Sequence, residues 1–114
     1  MNLEIQTVKL DRITLVEVAG EVDLYSSPQL RNILVDLAEK KTTPLLVDLQ
    51  AVRYMDSSGV ATLIEGLKQS QRFNGRFLLS GISDEVKQVF ELTRLFKVFE
   101  IYDSKAAAME NLSA

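Results

Sequence analysis

Residues 45–49, Leu45-Leu46-Val47-Asp48-Leu49, are apolar at all but one position and show no alternation of polar and apolar side chains. A strand with one wet face alternates. One that does not is buried on both faces and lies inside a sheet, with helices packed above or below it. The flanking sequence supplies such helices. Upstream, Leu30, Ile33, Leu34, Leu37 and Ala38 fall on one helical face, and downstream Val60, Leu63, Ile64 and Leu67 recur at i, i+3, i+4 and i+7.

Extended along the chain, the same patterns give the order β-β-α-β-α-β-α-β-α. Residues 3–10 and 13–19 form two strands joined at Asp11-Arg12, a polar break suited to an antiparallel hairpin. A loop spans residues 20–27. The first helix starts at Ser27, with Pro28 at its first helical position, and closes at Lys40-Lys41, cations that suit the negative end of the helix dipole. Pro44 opens the central strand. The second helix runs over residues 58–72 and ends at Asn74-Gly75, and a strand at 76–80 ends at Gly81. Ser83 caps a third helix with Asp84 and Glu85 in its first turn and Val86, Val89 and Phe90 inward, ending near Arg94. Leu95, Phe96, Val98 and Phe99 pack in the core or at an edge, residues 99–102 form a last strand, and Asp103 or Ser104 starts a terminal helix that frays at its end. The expected architecture is an α/β fold with a mixed, mostly parallel sheet of about five strands and about four helices, and right-handed crossovers. The 114 residues, 46% of them hydrophobic, suffice for one domain over 1–114 that buries roughly two-thirds of the unfolded chain's surface.

The chain contains neither Cys nor His. That excludes disulfides, thiol nucleophiles, imidazole bases and nearly every zinc site, so no enzyme, no metal and no cofactor are expected. A formal net charge of −3 leaves no basic footprint for nucleic acid or an anionic membrane surface. The N-terminus alternates polar and apolar residues, unlike a signal peptide, and no apolar run reaches the ~20 residues that span a bilayer. The expected location is the cytoplasm.

The candidate site is Asp56-Ser57-Ser58-Gly59, between the central strand and the second helix. Asp and Ser cap helix N-termini, so one serine is expected to begin the helix and leave the other spare. A hydroxyl there stands beside free N–H groups and the positive end of the dipole, a setting that welcomes a phosphate. In a parallel sheet, sites lie at the strand C-terminal ends, where both this segment and Glu21-Val22-Asp23 fall. Taken singly, each feature reads more simply as a capped helix, a solvated loop or an ordinary polar helix face. Asp48 receives no role.

Taken together and in order, several segments carry a resemblance. They are Gly20-Glu21-Val22-Asp23, Leu46-Val47-Asp48-Leu49, Tyr54-Met55-Asp56-Ser57-Ser58-Gly59 and Thr93-Arg94-Leu95-Phe96-Lys97-Val98-Phe99. Over nearly its full length the chain resembles the STAS domains, the family of bacterial anti-sigma factor antagonists and of the cytoplasmic domains of sulfate transporters. In regulatory members the first hydroxyl after the Asp is phosphorylated by an anti-sigma factor that is itself a serine kinase. The resemblance assigns that role to Ser57, the second hydroxyl position to Ser58, and the partner-contacting acidic loop residue to Asp23. It implies a partner-switching regulator that binds the anti-sigma kinase when unphosphorylated, frees a sigma factor, and is reset by a serine phosphatase. The binding surface would comprise Glu21, Asp23, Asp56, Ser58, Gly59, Thr62 and Glu65. The alternative is a non-switching STAS scaffold or a transporter-associated module.

Overall fold

The computed structural model describes residues 3–113. Its elements are β1 (Leu3–Leu10), β2 (Ile13–Val22), α1 (Ser27–Glu39), β3 (Leu45–Met55), α2 (Ser57–Gln71), β4 (Phe77–Ser80), α3 (Asp84–Thr93), β5 (Glu100–Tyr102) and α4 (Lys105–Ser113), with one 3-10 turn at Phe96–Val98. The five strands form a single sheet in the order β1-β2-β3-β4-β5. The β1–β2 hairpin is antiparallel and every other pairing is parallel. The expected α/β architecture and element order therefore hold, and β3 is the central strand that its apolar run requires.

Successive residues of the buried strands point to opposite faces and enter two separate cores. Leu45, Val47, Phe77 and Leu79 join Leu30 and Leu34 of α1, Val60 and Leu63 of α2, and Val86 and Phe90 of α3. Leu46 and Leu78 point the other way and meet Ala108 of α4. Three helices thus cover one face and a single short helix covers part of the other. Beside α4 the second face stays open as a hollow of about 510 Å³ bordered by Glu4, Gln6, Glu17, Gln50 and Lys105. Buried Asp48 accepts a 2.8 Å hydrogen bond from Ser80 Oγ at the edge of this hollow, which satisfies a polar pair between β3 and β4.

β3 is longer than its apolar run suggests. Nine residues of β2, from Thr14 to Val22, lie alongside eleven of β3, from Leu45 to Met55, because β3 carries two register shifts. Each shift is a bulge that places two residues against one. After Leu49 the buried residues therefore come at intervals of three, Val52 and then Met55, instead of two. β2 likewise extends through Gly20-Glu21-Val22, which had been expected to be loop.

Candidate functional site

β2 and β3 finish side by side. Val22 pairs with Met55, and the Asp56 N–H donates to the Val22 carbonyl at 3.2 Å. The segments that follow them, one leading into α1 and the other into α2, leave the sheet as neighbours at the C-terminal ends of parallel strands.

At the start of α2 the cap is Asp56, not a serine. Its backbone is extended, and its Oδ1 accepts from the N–H groups of Ser58 (3.0 Å) and Gly59 (3.4 Å) and from the Ser58 hydroxyl. A carboxylate accepts more strongly than a hydroxyl and also faces the positive helix end, so it prevails over either serine. Ser57 and Ser58 are consequently the first two helical residues. Ser58 is half-buried and its hydroxyl is engaged, whereas Ser57 is exposed and its hydroxyl makes no hydrogen bond among the described residues.

Gly59 lies below the surface, where α2 meets both strands. A Cβ there would stand 2.5 Å from Met55 Cγ and 2.9 Å from Val22 Cγ1. Thr62, named above as part of the binding surface, was expected to be exposed, and the structure corrects this. It is 6% exposed, and its Oγ1 donates 3.0 Å to the Ser58 carbonyl. Thr can settle its one donor on the preceding helical turn, so its polar label does not require water. Glu65 is half-buried and held by Arg31 of α1 in a two-pronged ion pair, Nε–Oε1 2.7 Å and Nη2–Oε2 2.8 Å.

The connection from β2 to α1 is equally ordered. Asp23 Oδ1 accepts from the N–H groups of Tyr25 and Ser26, both at 2.9 Å. Ser26 Oγ accepts from the Asp23 N–H at 2.9 Å and donates to the Glu21 carbonyl at 2.8 Å. Ser26 occupies the N-cap position, but its hydroxyl serves the loop rather than the helix, and Pro28 is the second helical residue rather than the first. The Ser26 backbone N–H, with the Tyr25 N–H, holds the Asp23 carboxyl below its ordinary value, so it stays ionised.

This loop also shows what polarity-based reading passes over. Leu24 is 67% and Tyr25 86% exposed, and Tyr54, which pairs with Glu21 across the strands, is 51% exposed. The available signal was two large apolar residues between a strand end and a helix start, where a buried role had no element to carry it. Among the described residues no cluster of three or more carboxylates could hold a metal ion, and no helix is long and apolar enough to cross a membrane.

Comparison with known proteins places this fold. Residues 4–108 match the STAS domain family model. The chain belongs to the STAS domain family. It is 35% identical over 95 residues to the anti-sigma-B factor antagonist of Staphylococcus aureus, covering 83% of this chain and 88% of that protein. Its fold is similar to that of an anti-sigma factor antagonist from Mycobacterium paratuberculosis, with a TM-score of 0.90 at 21% identity over 99% of this chain and 96% of the other. It is also similar to SpoIIAA, solved in unphosphorylated form (TM-score 0.81, 20% identity, 96% of each chain). The phosphorylated form of SpoIIAA, from Bacillus, superposes with a TM-score of 0.74 at 20% identity over 96% of this chain and 99% of that one.

Proposed function

We propose that this domain is an anti-sigma factor antagonist controlled by phosphorylation of Ser57. The observation that carries the proposal is the Ser57 hydroxyl: exposed, without a hydrogen-bond partner among the described residues, and at the first position of a helix whose cap is already filled by Asp56. The S. aureus relative bears the name of such an antagonist, and SpoIIAA exists in both phosphorylation states. Unphosphorylated, the domain binds an anti-sigma factor serine kinase through its two loops and the exposed side of α2, and the sigma factor is released. Glu21, Asp23, Asp56, Ser58 and Glu65 shape that face, while Gly59 and Thr62 support it from beneath.

Phosphoryl transfer breaks the bond from the γ-phosphorus to ADP and forms one to Ser57 Oγ, whose proton passes to a base on the kinase. The product adds roughly −1.5 to −2 charge. Within the domain the positive helix end offsets about 0.3–1 kcal/mol of this, so the fold survives. Against a docked partner the charge stands beside Asp56 and must shed its water. A penalty of about 2.7 kcal/mol is enough to weaken binding about 100-fold. The switch is local electrostatics, and a serine phosphatase resets it.

The test is to incubate the purified chain with the anti-sigma factor kinase and ATP and to locate the phosphate by mass spectrometry. Phosphate on Ser57, absent from Ser57→Ala, with about 100-fold weaker calorimetric binding of the phosphorylated chain, is the expected result. Incorporation into Ser57→Ala at the wild-type rate, or equal affinity of both forms, would overturn the proposal.

A further inference from the structure

Of the five large hydrophobic side chains exposed among the described residues, three stand at the Ser57 end: Leu24, Tyr25 and Tyr54. A single exposed apolar residue needs no explanation, whereas neighbouring ones with a polar rim mark a contact surface. Leu24 and Tyr25 are also presented rigidly. Oδ1 of Asp23 takes the N–H groups of Tyr25 and Ser26, the Ser26 hydroxyl ties Asp23 back to Glu21, and the Ser27 N–H donates to the Asp23 carbonyl at 2.8 Å. A loop fixed before docking loses little entropy on docking, and Tyr, with Trp and Arg, is enriched among the residues that anchor such contacts. The surroundings are acidic: Glu21, Asp23, Asp56 and Glu65 lie at this end, against Arg53 and the Arg31 already paired with Glu65.

We propose that Leu24 and Tyr25 are the anchors by which this end grips its protein partner, and that Asp23 is a positioning residue that holds them out. The proposal rests on the partner-switching reading above. It commits to one occupant, the anti-sigma factor kinase, and to the chemistry of the surface that receives the loop: an apolar recess edged by Lys or Arg. The phosphate on Ser57 then acts beside the anchors rather than on them, so affinity and control reside in separate residues.

Isothermal calorimetry of the unphosphorylated chain against the anti-sigma factor kinase tests this, with Tyr25→Ala, Leu24→Ala, Asp23→Asn and Asp23→Ala beside the wild type. Both anchor side chains are exposed, so Tyr25→Ala and Leu24→Ala should melt with the wild type. Tyr25→Ala is expected to weaken binding about 30-fold and Leu24→Ala about 10-fold, the range of a buried anchor. Asp23→Asn keeps the Oδ1 acceptor and should bind about 10-fold tighter than Asp23→Ala, because the amide still staples the loop. Affinities of Tyr25→Ala and Leu24→Ala within about threefold of wild type would overturn the anchor assignment. Equal losses for Asp23→Asn and Asp23→Ala would overturn the positioning role and assign Asp23's effect to its charge. A wild-type chain that neither binds the kinase nor is phosphorylated by it would instead remove the partner-switching reading and this inference with it.

Discussion

Gly59 stands where the first turn of α2 crosses the ends of β2 and β3, with the stiff, buried Val22 side chain on one side and Met55 on the other. Gly59→Ala gains at most ~1 kcal/mol of helix propensity, less so early in a helix, and incurs overpacking of about 1–3 kcal/mol. The net effect is a lower melting temperature, by roughly 4 °C per kcal/mol in a domain of this size. A thermal melt in which Gly59→Ala equals or exceeds the wild type would contradict the close approach. Sequence located this strand-to-helix junction but misread which residue caps the helix. Three consecutive residues, Asp56, Ser57 and Ser58, are all good caps, and only the extended backbone at Asp56 decides that the carboxylate takes the role. The burial of Thr62 was equally hidden, since a hydroxyl satisfied by its own helix is indistinguishable in sequence from one satisfied by water.

Ion pairs join elements that backbone pairing leaves loosely tied. Arg76, just before β4, contacts Glu100 of β5 through both prongs (Nε–Oε1 3.0 Å) and reaches Asn111 Oδ1 of α4 at 2.8 Å, while the Tyr102 hydroxyl donates to Glu100 at 2.8 Å. The hydrogen bond from Arg76, followed by that from Tyr102, outweighs burial and holds the Glu100 carboxyl below its ordinary value. A folded-state value below the unfolded one, about 4.3, means the contribution is complete above that pH and is lost as pH falls through the lower folded value. For a pair this exposed it is about 0.5–1 kcal/mol. Urea unfolding should therefore show Glu100→Gln less stable than wild type by that amount at pH 7, with the gap closing below about pH 4. A gap of constant size down to pH 2.5 would refute the linkage. Elements bounded by strong local signals were legible, such as α3, where Ser83 accepts from the Val86 N–H and acidic residues follow. In β3 the regular run was legible to Leu49 and the strand end at 52–55 only as a separate signal, because two bulges replace its period of two with a spacing of three that matches no regular template.

Across the whole molecule the two faces of the sheet are unequal. The larger core draws on α1, α2 and α3, whereas α4 fully buries only Ala108. Amphipathic patterns reveal that a helix has an inner side but not which face of the sheet it covers, so this asymmetry was not foreseeable, although the element order, the hairpin and the central place of β3 were. Hydrogen exchange should expose it. The amides of residues 45–48, paired on both sides and buried, should be the slowest, and those of α4 the first helical amides to exchange. Equal protection of α4 and β3 would count against an independently opening α4. The bulged strand bears on how such a chain can diverge. At the Ser57 end, Leu24, Tyr25 and Ser57 itself are exposed and free of packing constraints, unlike Asp56 and Gly59 beside them. A change of one in the number of residues between Leu49 and Asp56 that is not absorbed by a bulge turns Asp56 toward the opposite face and carries the start of α2 away from the loop that holds Tyr25. The two bulges of β3 thus set where α2 begins relative to that loop.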